Sequence, residues 1–100
     1  MTAELPPFIR PVLMLADEVL LIGRAAHHAR RNERTIRRWV KAYGIGRHSS
    51  RTAPLEISRP ALDMVLHGDF VTLERLRANE RSHPDVARYF DLAGLPLDTG

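Results

Sequence analysis

Apolar residues along this 100-residue chain recur mostly at helical spacing. Ile36, Trp39, Val40 and Tyr43 fall at i, i+3, i+4 and i+7, the stripe of a helix packed onto a core. Arg34, Arg37, Arg38 and Lys41 occupy a second stripe at the same spacing. The pattern predicts a helix with one face on protein and one face cationic. Asn32 is placed to cap its start, and Glu33 to sit in its first turn, where a negative charge suits the helix dipole. Gly44 is placed to stop it, because glycine takes the left-handed cap conformation without a Cβ penalty. Just upstream, Ala25, Ala26 and Ala29 thin one side of a short first helix, so that the second can cross it closely.

Residues 1–7 are expected to lack fixed structure, with Pro6 and Pro7 favouring an extended backbone. Residues 11–21 predict a short helix with Asp17 and Glu18 facing water. Its apolar side packs across the domain or onto a neighbouring subunit. Residues 45–47 and 55–57 read as short strands joined by a polar connection at 48–53, a β-hairpin directly after the basic helix. An ordinary flexible loop carrying two arginines is the alternative there. Ser58 caps a third helix that tolerates Pro60 in its first turn and buries Ala61, Leu62, Val65 and Leu66; His67 and Gly68 end it. Asp69 opens a fourth helix with Phe70, Leu73 and Leu76 on its apolar side. After a break at Ser82-His83-Pro84, a last helix runs through Val86, Tyr89, Phe90 and Leu92 to Gly94, followed by a frayed tail. The expected organisation is an N-terminal arm or short helix at 1–19, a basic domain at 20–80, and a C-terminal helix and tail at 81–100 that form a candidate interaction segment.

Charge sharpens this picture. The net charge is +3, but residues 24–51 hold nine Lys or Arg against one acid, Glu33, a local balance of +8. The remainder holds six basic residues against eleven acids, a balance of −5. Fourteen of the fifteen cations are Arg, the side chain suited to bidentate contacts with phosphate and guanine. Double-stranded DNA is the expected partner. Arg47 and Arg51, at or near the hairpin tip, are placed to reach a minor groove or flanking phosphates. A surface pair of helices with a solvated charged face is the alternative reading of the same run.

Candidate chemistry is sparse. With no cysteine, disulfides, zinc–thiolate sites and thiol catalysis are excluded. The five histidines form no HExxH pair, and adjacent His27 and His28 point to different helix faces, so no metal site is expected. Gly44-Ile45-Gly46 is too short for a nucleotide fingerprint, and no phosphate-binding loop motif occurs. Tyr43, Tyr89 and the serines lack a companion domain that would supply a base or an electrophilic clamp. The chain is therefore expected to be no enzyme, and to need no cofactor and no small-molecule substrate. No apolar run approaches the roughly 20 residues of a membrane span. No charged and apolar leader is visible either, so a cytoplasmic, nucleoid-associated location and no membrane partner are expected.

The run RAAHHARRNERTIRRW resembles the EAA-x-x-LG-x-S-x-x-T-x-x-RW pattern of MerR-like winged helices, a group that includes excisionases of phages and integrative elements. Ala25 and Ala26 stand at its paired alanines, Asn32 at its capping serine, Thr35 at its threonine, and Arg38-Trp39 at its RW. LEISRPALDMVLHGD is similar to the strand and following helix of the same domains. With LLIGRAA and TIRRWVKAYGIGR, these segments look most like recombination directionality factors of integrative and conjugative elements, over residues 20–77. The resemblance implies a mainly α fold with a small β-hairpin, a winged helix-turn-helix with additional C-terminal helices. It implies major-groove contacts from Glu33, Arg34, Arg37, Arg38 and Lys41, with Thr35 beside them, and wing contacts from Arg47, His48 and Arg51. Arg24, Arg30, Arg31 and Tyr43 are further candidates for phosphate contacts. It also implies an architectural protein that binds attachment-site DNA as a cooperative array of its own copies, bends it, and directs a separate tyrosine integrase toward excision. A transcription regulator on the same fold, and an adaptor whose basic face meets an acidic protein, are the alternatives. There are departures. Arg24 replaces the usual acid and Arg30 the turn glycine, so that either a positive φ strains Arg30 or the turn has a different shape; Arg31 occupies a position that is usually apolar in these domains.

Overall fold

The computed structural model describes residues 10–95. Its strands are β1 (Val19–Leu21), β2 (Gly46–Arg47) and β3 (Glu56–Ser58). Its helices are α1 (Ile22–Ala29), α2 (Glu33–Tyr43), α3 (Arg59–Leu66), α4 (Phe70–Arg77) and α5 (Pro84–Ala93). Together they make a compact, mainly helical domain with a radius of gyration of 13.4 Å and one small antiparallel sheet in the order β1-β3-β2. Leu20 and Gly46 both pair with Ile57, from opposite sides, so β3 is the centre of the sheet.

Local chemistry sets the helix ends. Asn32 Oδ1 accepts the Thr35 N–H at 2.8 Å to open α2, and Gly44, at φ 65°, closes it. The buried Ser58 Oγ accepts the Ala61 N–H at 3.2 Å and starts α3 directly out of β3, with Pro60 in the first turn. Asp69 caps α4 by accepting the Thr72 N–H at 3.2 Å. His83 Nδ1 accepts the Asp85 N–H at 3.1 Å at the start of α5, and Gly94 at φ 69° ends it. The apolar stripes then meet in one core, in which Ile36 of α2, Ile45, Ile57 of β3, Leu62 and Met64 of α3, Leu73 and Leu76 of α4, and Phe90 of α5 are fully buried. Two expected core positions lie outside it: Leu92 and Phe70 are 60% and 42% exposed.

The N-terminal segment departs from expectation. No α-helix forms over residues 11–21; a 3₁₀ turn at Ala16–Glu18 leads into β1. Before the turn, Val12 and Met14 are buried and Leu13 and Leu15 exposed, a period of two that suits an extended strap rather than a helix. The strap is tied down where the Val12 N–H donates to Gly44 O at 2.9 Å. Glu18 does not face water. It is 2% exposed and receives both arms of the Arg81 guanidinium, at 2.7 and 3.0 Å. Arg81 also donates to Leu13 O at 3.1 Å and lies 5.2 Å from the Phe90 ring centroid, so one side chain fastens the strap to α5. The first seven residues and the tail beyond Leu95 lie outside the described residues. Among those described, no helix is long and apolar enough to cross a membrane.

A second, partly buried polar contact joins the start of α4 to α5, where the Tyr89 hydroxyl donates to Asp69 Oδ2 at 2.9 Å. Burial alone raises the Asp69 carboxyl, but hydrogen bonds from Thr72 and Tyr89 and the charge of Arg88 outweigh it and hold it below its usual value. Burial, followed by the bond to Asp69 and its negative charge, pushes Tyr89 up to about 12.

Two outcomes follow for stability. Arg81→Met strands the Glu18 carboxylate in the interior and should cost about 3–5 kcal/mol in urea denaturation, while adding Glu18→Leu should recover part of that loss. Because the Asp69 pKa is lowered by folding, its stabilisation is complete above its unfolded value of 3.8 and is lost as pH falls through the lower folded value. Tyr89→Phe should therefore cost about 1–2 kcal/mol at pH 7, with the gap to the unmodified protein narrowing below pH 3.8.

Candidate nucleic-acid interface

Between α1 and α2 the chain reverses in three residues, Arg30, Arg31 and Asn32. Arg30 adopts the left-handed conformation, φ 56° and ψ 44°, which lets its own N–H and that of Arg31 satisfy the last carbonyls of α1 at Ala26 and His27. Ala25 and Ala29 are buried where α2 crosses, with Ile36 fully buried on the facing side. The close crossing turns the opposite face of α2 outward. Arg34, Arg37, Arg38 and Lys41 are all exposed on it.

These four differ from the arginines that brace the fold. Among the described residues no carboxylate pairs with any of them, whereas Arg47, Arg75, Arg77 and Arg81 each engage a glutamate. Spaced three and four apart on a helix surface, the four cations repel one another and leave their field unneutralised. Arg24, Arg30 and Arg51 are likewise exposed and unpaired among the described residues.

Other expected positions divide. Arg47 does not stand free at the hairpin tip. It lies in β2, and its guanidinium donates to Glu56 at 2.9 Å and to Met14 O at 3.1 Å, because the register sets Arg47 opposite Glu56. His48 Nδ1 lies 3.0 Å from Ala53 O and braces the connecting loop, leaving Arg51 exposed at the turn. Arg31 folds back onto the Ala29 and Arg30 carbonyls at 3.3 and 3.2 Å, and its guanidinium lies 5.9 Å from the Trp39 ring centroid. Tyr43 is half-buried with its ring 5.1 Å from that of Phe70, a packing position, and its carbonyl accepts from Arg77 at 2.6 Å. Thr35 is half-buried beside the cap. Glu33 leans back toward α1, its carboxylate 3.9 Å from where a Cβ on Gly23 would stand.

Sequence reasoning missed two features. His28 Nε2 lies 2.7 Å from Asp63 Oδ1, a buried carboxylate on α3, and so ties α1 to α3. Nothing in the spacing of residues 28 and 63 signals that contact. The second is a cleft of about 680 Å³ between the C-terminal half of α2, β2 and Pro11, walled by Val40, Gly46 and Leu55 and bordered by Arg37, Arg38, Lys41, Arg47 and His48. At its wall Gly46 lets β2 approach α2 closely. A Cβ there would lie 2.9 Å from both Glu56 O and a Val40 methyl.

No protein-family model, curated protein sequence or solved structure matches this chain.

Arg30 holds a conformation that costs an L-residue roughly 1–2 kcal/mol and glycine almost nothing. Arg30→Gly should accordingly raise stability by about 1 kcal/mol in denaturant titrations, a gain trimmed by the greater freedom of the unfolded glycine chain.

Proposed function

We propose that the chain is a winged helix-turn-helix DNA-binding protein in which α2 enters the major groove and the β2–β3 hairpin is the wing. The observation that carries this reading is the exposed row of cations at Arg34, Arg37, Arg38 and Lys41, without carboxylate partners among the described residues, on a helix whose other face is anchored by the buried Ile36. A helix fits the major groove, and arginine there reads guanine edges or grips phosphate. Arg24, Arg30 and Arg51 extend the positive field to the turn and the hairpin loop, where flanking phosphates would pass. Arg47, bound to Glu56, serves the hairpin itself.

The finer reading is an excisionase-type recombination directionality factor. It rests on the resemblance of RAAHHARRNERTIRRW and LEISRPALDMVLHGD to that group, and on the small size of the interface. A single module of this kind covers only about 600–1,000 Å², too little for high specificity, so copies bound side by side at an attachment site would supply the rest. Bending the site and steering a separate tyrosine integrase toward excision need no catalytic group on this chain.

Arg37→Ala tests the assigned face. On an attachment-site duplex it should weaken binding by about 1–3 kcal/mol, and it should abolish excision in a reaction containing the integrase. If Arg37 grips phosphate, the slope of log affinity against log salt should fall by about 0.9. Full excision by this variant would remove α2 from the groove. Retention of promoter fragments alone from a genomic pool would select the regulator, and failure to hold any duplex at about 150 mM salt would select the protein adaptor.

A further inference from the structure

We propose that the cleft between α2 and β2 binds an amphipathic organic carboxylate, and that this ligand and duplex DNA exclude one another. The exclusion rests on the DNA-binding reading above; the binding itself does not. At about 680 Å³ the cleft lies within the range of small-molecule sites. Its walls are apolar, with Val40 from α2 and Leu55 leading into β3. Its border is cationic, and the cations are not equivalent. Arg47 already holds Glu56, and the imidazole of His48 is turned to Ala53 O. Arg37, Arg38 and Lys41 have no carboxylate partner among the described residues. The site therefore offers apolar walls and, along one edge, positive charge that no carboxylate among the described residues answers.

That combination selects its occupant. Inorganic phosphate satisfies the cations but leaves the apolar wall wet. An uncharged apolar compound fills the wall and leaves the charge unanswered. A carboxylate on an aliphatic or aromatic body does both, with its head against Arg38 and Lys41 and its body along Val40 and Leu55. These cations belong to the same stripe that faces DNA, so the ligand would neutralise part of the field and place its body beside the helix that must enter the groove. Mutual exclusion follows from shared residues and needs no conformational change.

Calorimetric titration of the full chain with hexanoate, octanoate and decanoate, below their micelle concentrations and with octanol as the uncharged control, tests the site directly. Binding should saturate at one ligand per chain, tighten about threefold to fourfold per added methylene, and be at least about tenfold weaker for octanol than for octanoate. Lys41→Glu, on an exposed helix position, should weaken decanoate at least about tenfold, while Lys41→Arg should retain it within about threefold. Decanoate should release a fluorescent duplex at concentrations matching its own dissociation constant. Absence of saturation, equal affinity for octanol and octanoate, or indifference to Lys41→Glu would overturn the site. A duplex that stays bound while decanoate saturates the cleft would overturn the exclusion. If no duplex binds at all, the DNA reading and the exclusion fall together, and the calorimetry still decides the cleft.

Discussion

Strand β3 is hydrogen-bonded along both edges, to β1 on one side and β2 on the other, and the geometry of the basic face depends on that double pairing. β1 leads directly into α1, and β2 follows α2 after two residues. Fixing both strands to Glu56–Ser58 therefore fixes where the helix pair begins and ends. The Ser58 N–H also donates to Ile45 O at 2.8 Å, so the link from α2 into the hairpin is held by backbone bonds rather than by side chains. Gly46 is the residue on which this closeness turns, since any Cβ there would collide with Val40 and with the backbone of β3.

Around this frame two groups of arginines stand apart. Those at 47, 75, 77 and 81 are spent on glutamates and carbonyls inside the domain. Arg77 reaches the carbonyls of Tyr43 and Arg10, and Arg81 grips Glu18, so α4 and the link into α5 hold both the end of α2 and the N-terminal strap. The C-terminal helices are thus part of what positions the basic face, not an appendage to it. Those on the outer side of α2 contribute nothing comparable to the fold. Like charges at helical spacing are mildly destabilising, and a polyanion relieves that repulsion. Arg30 fits the same view, with a strained backbone at a turn where glycine would be easier and its side chain left exposed.

The amphipathic pattern of residues 34–43, the caps at Asn32, Ser58 and Asp69 and the glycine stops at Gly44 and Gly94 were legible in the sequence, because each depends on neighbours within four residues. At Arg30 the sequence left two turns open, a strained positive φ or a different shape, and the fold takes the first, at φ 56°. The N-terminal segment was not legible. Its apolar residues suit a helix or a strap equally well, and Val12 bonding to Gly44 O and Glu18 bonding to Arg81 decide for the strap across 32 and 63 residues of chain.

By itself, the sequence determined that this protein has a helix with one apolar and one cationic face, since periodicity and charge sign are properties of the order of residues. Only the tertiary structure decided which cations meet a carboxylate among the described residues. Arg47 and Arg51 look alike in the sequence, but the register of β2 on β3 sets one opposite Glu56 and leaves the other at the open turn. Glu18 looks like a surface acid until Arg81, brought alongside by the packing of α5, supplies the partner that makes its burial affordable. Such pairings depend on distance in space, and separation along the chain carries no measure of that distance.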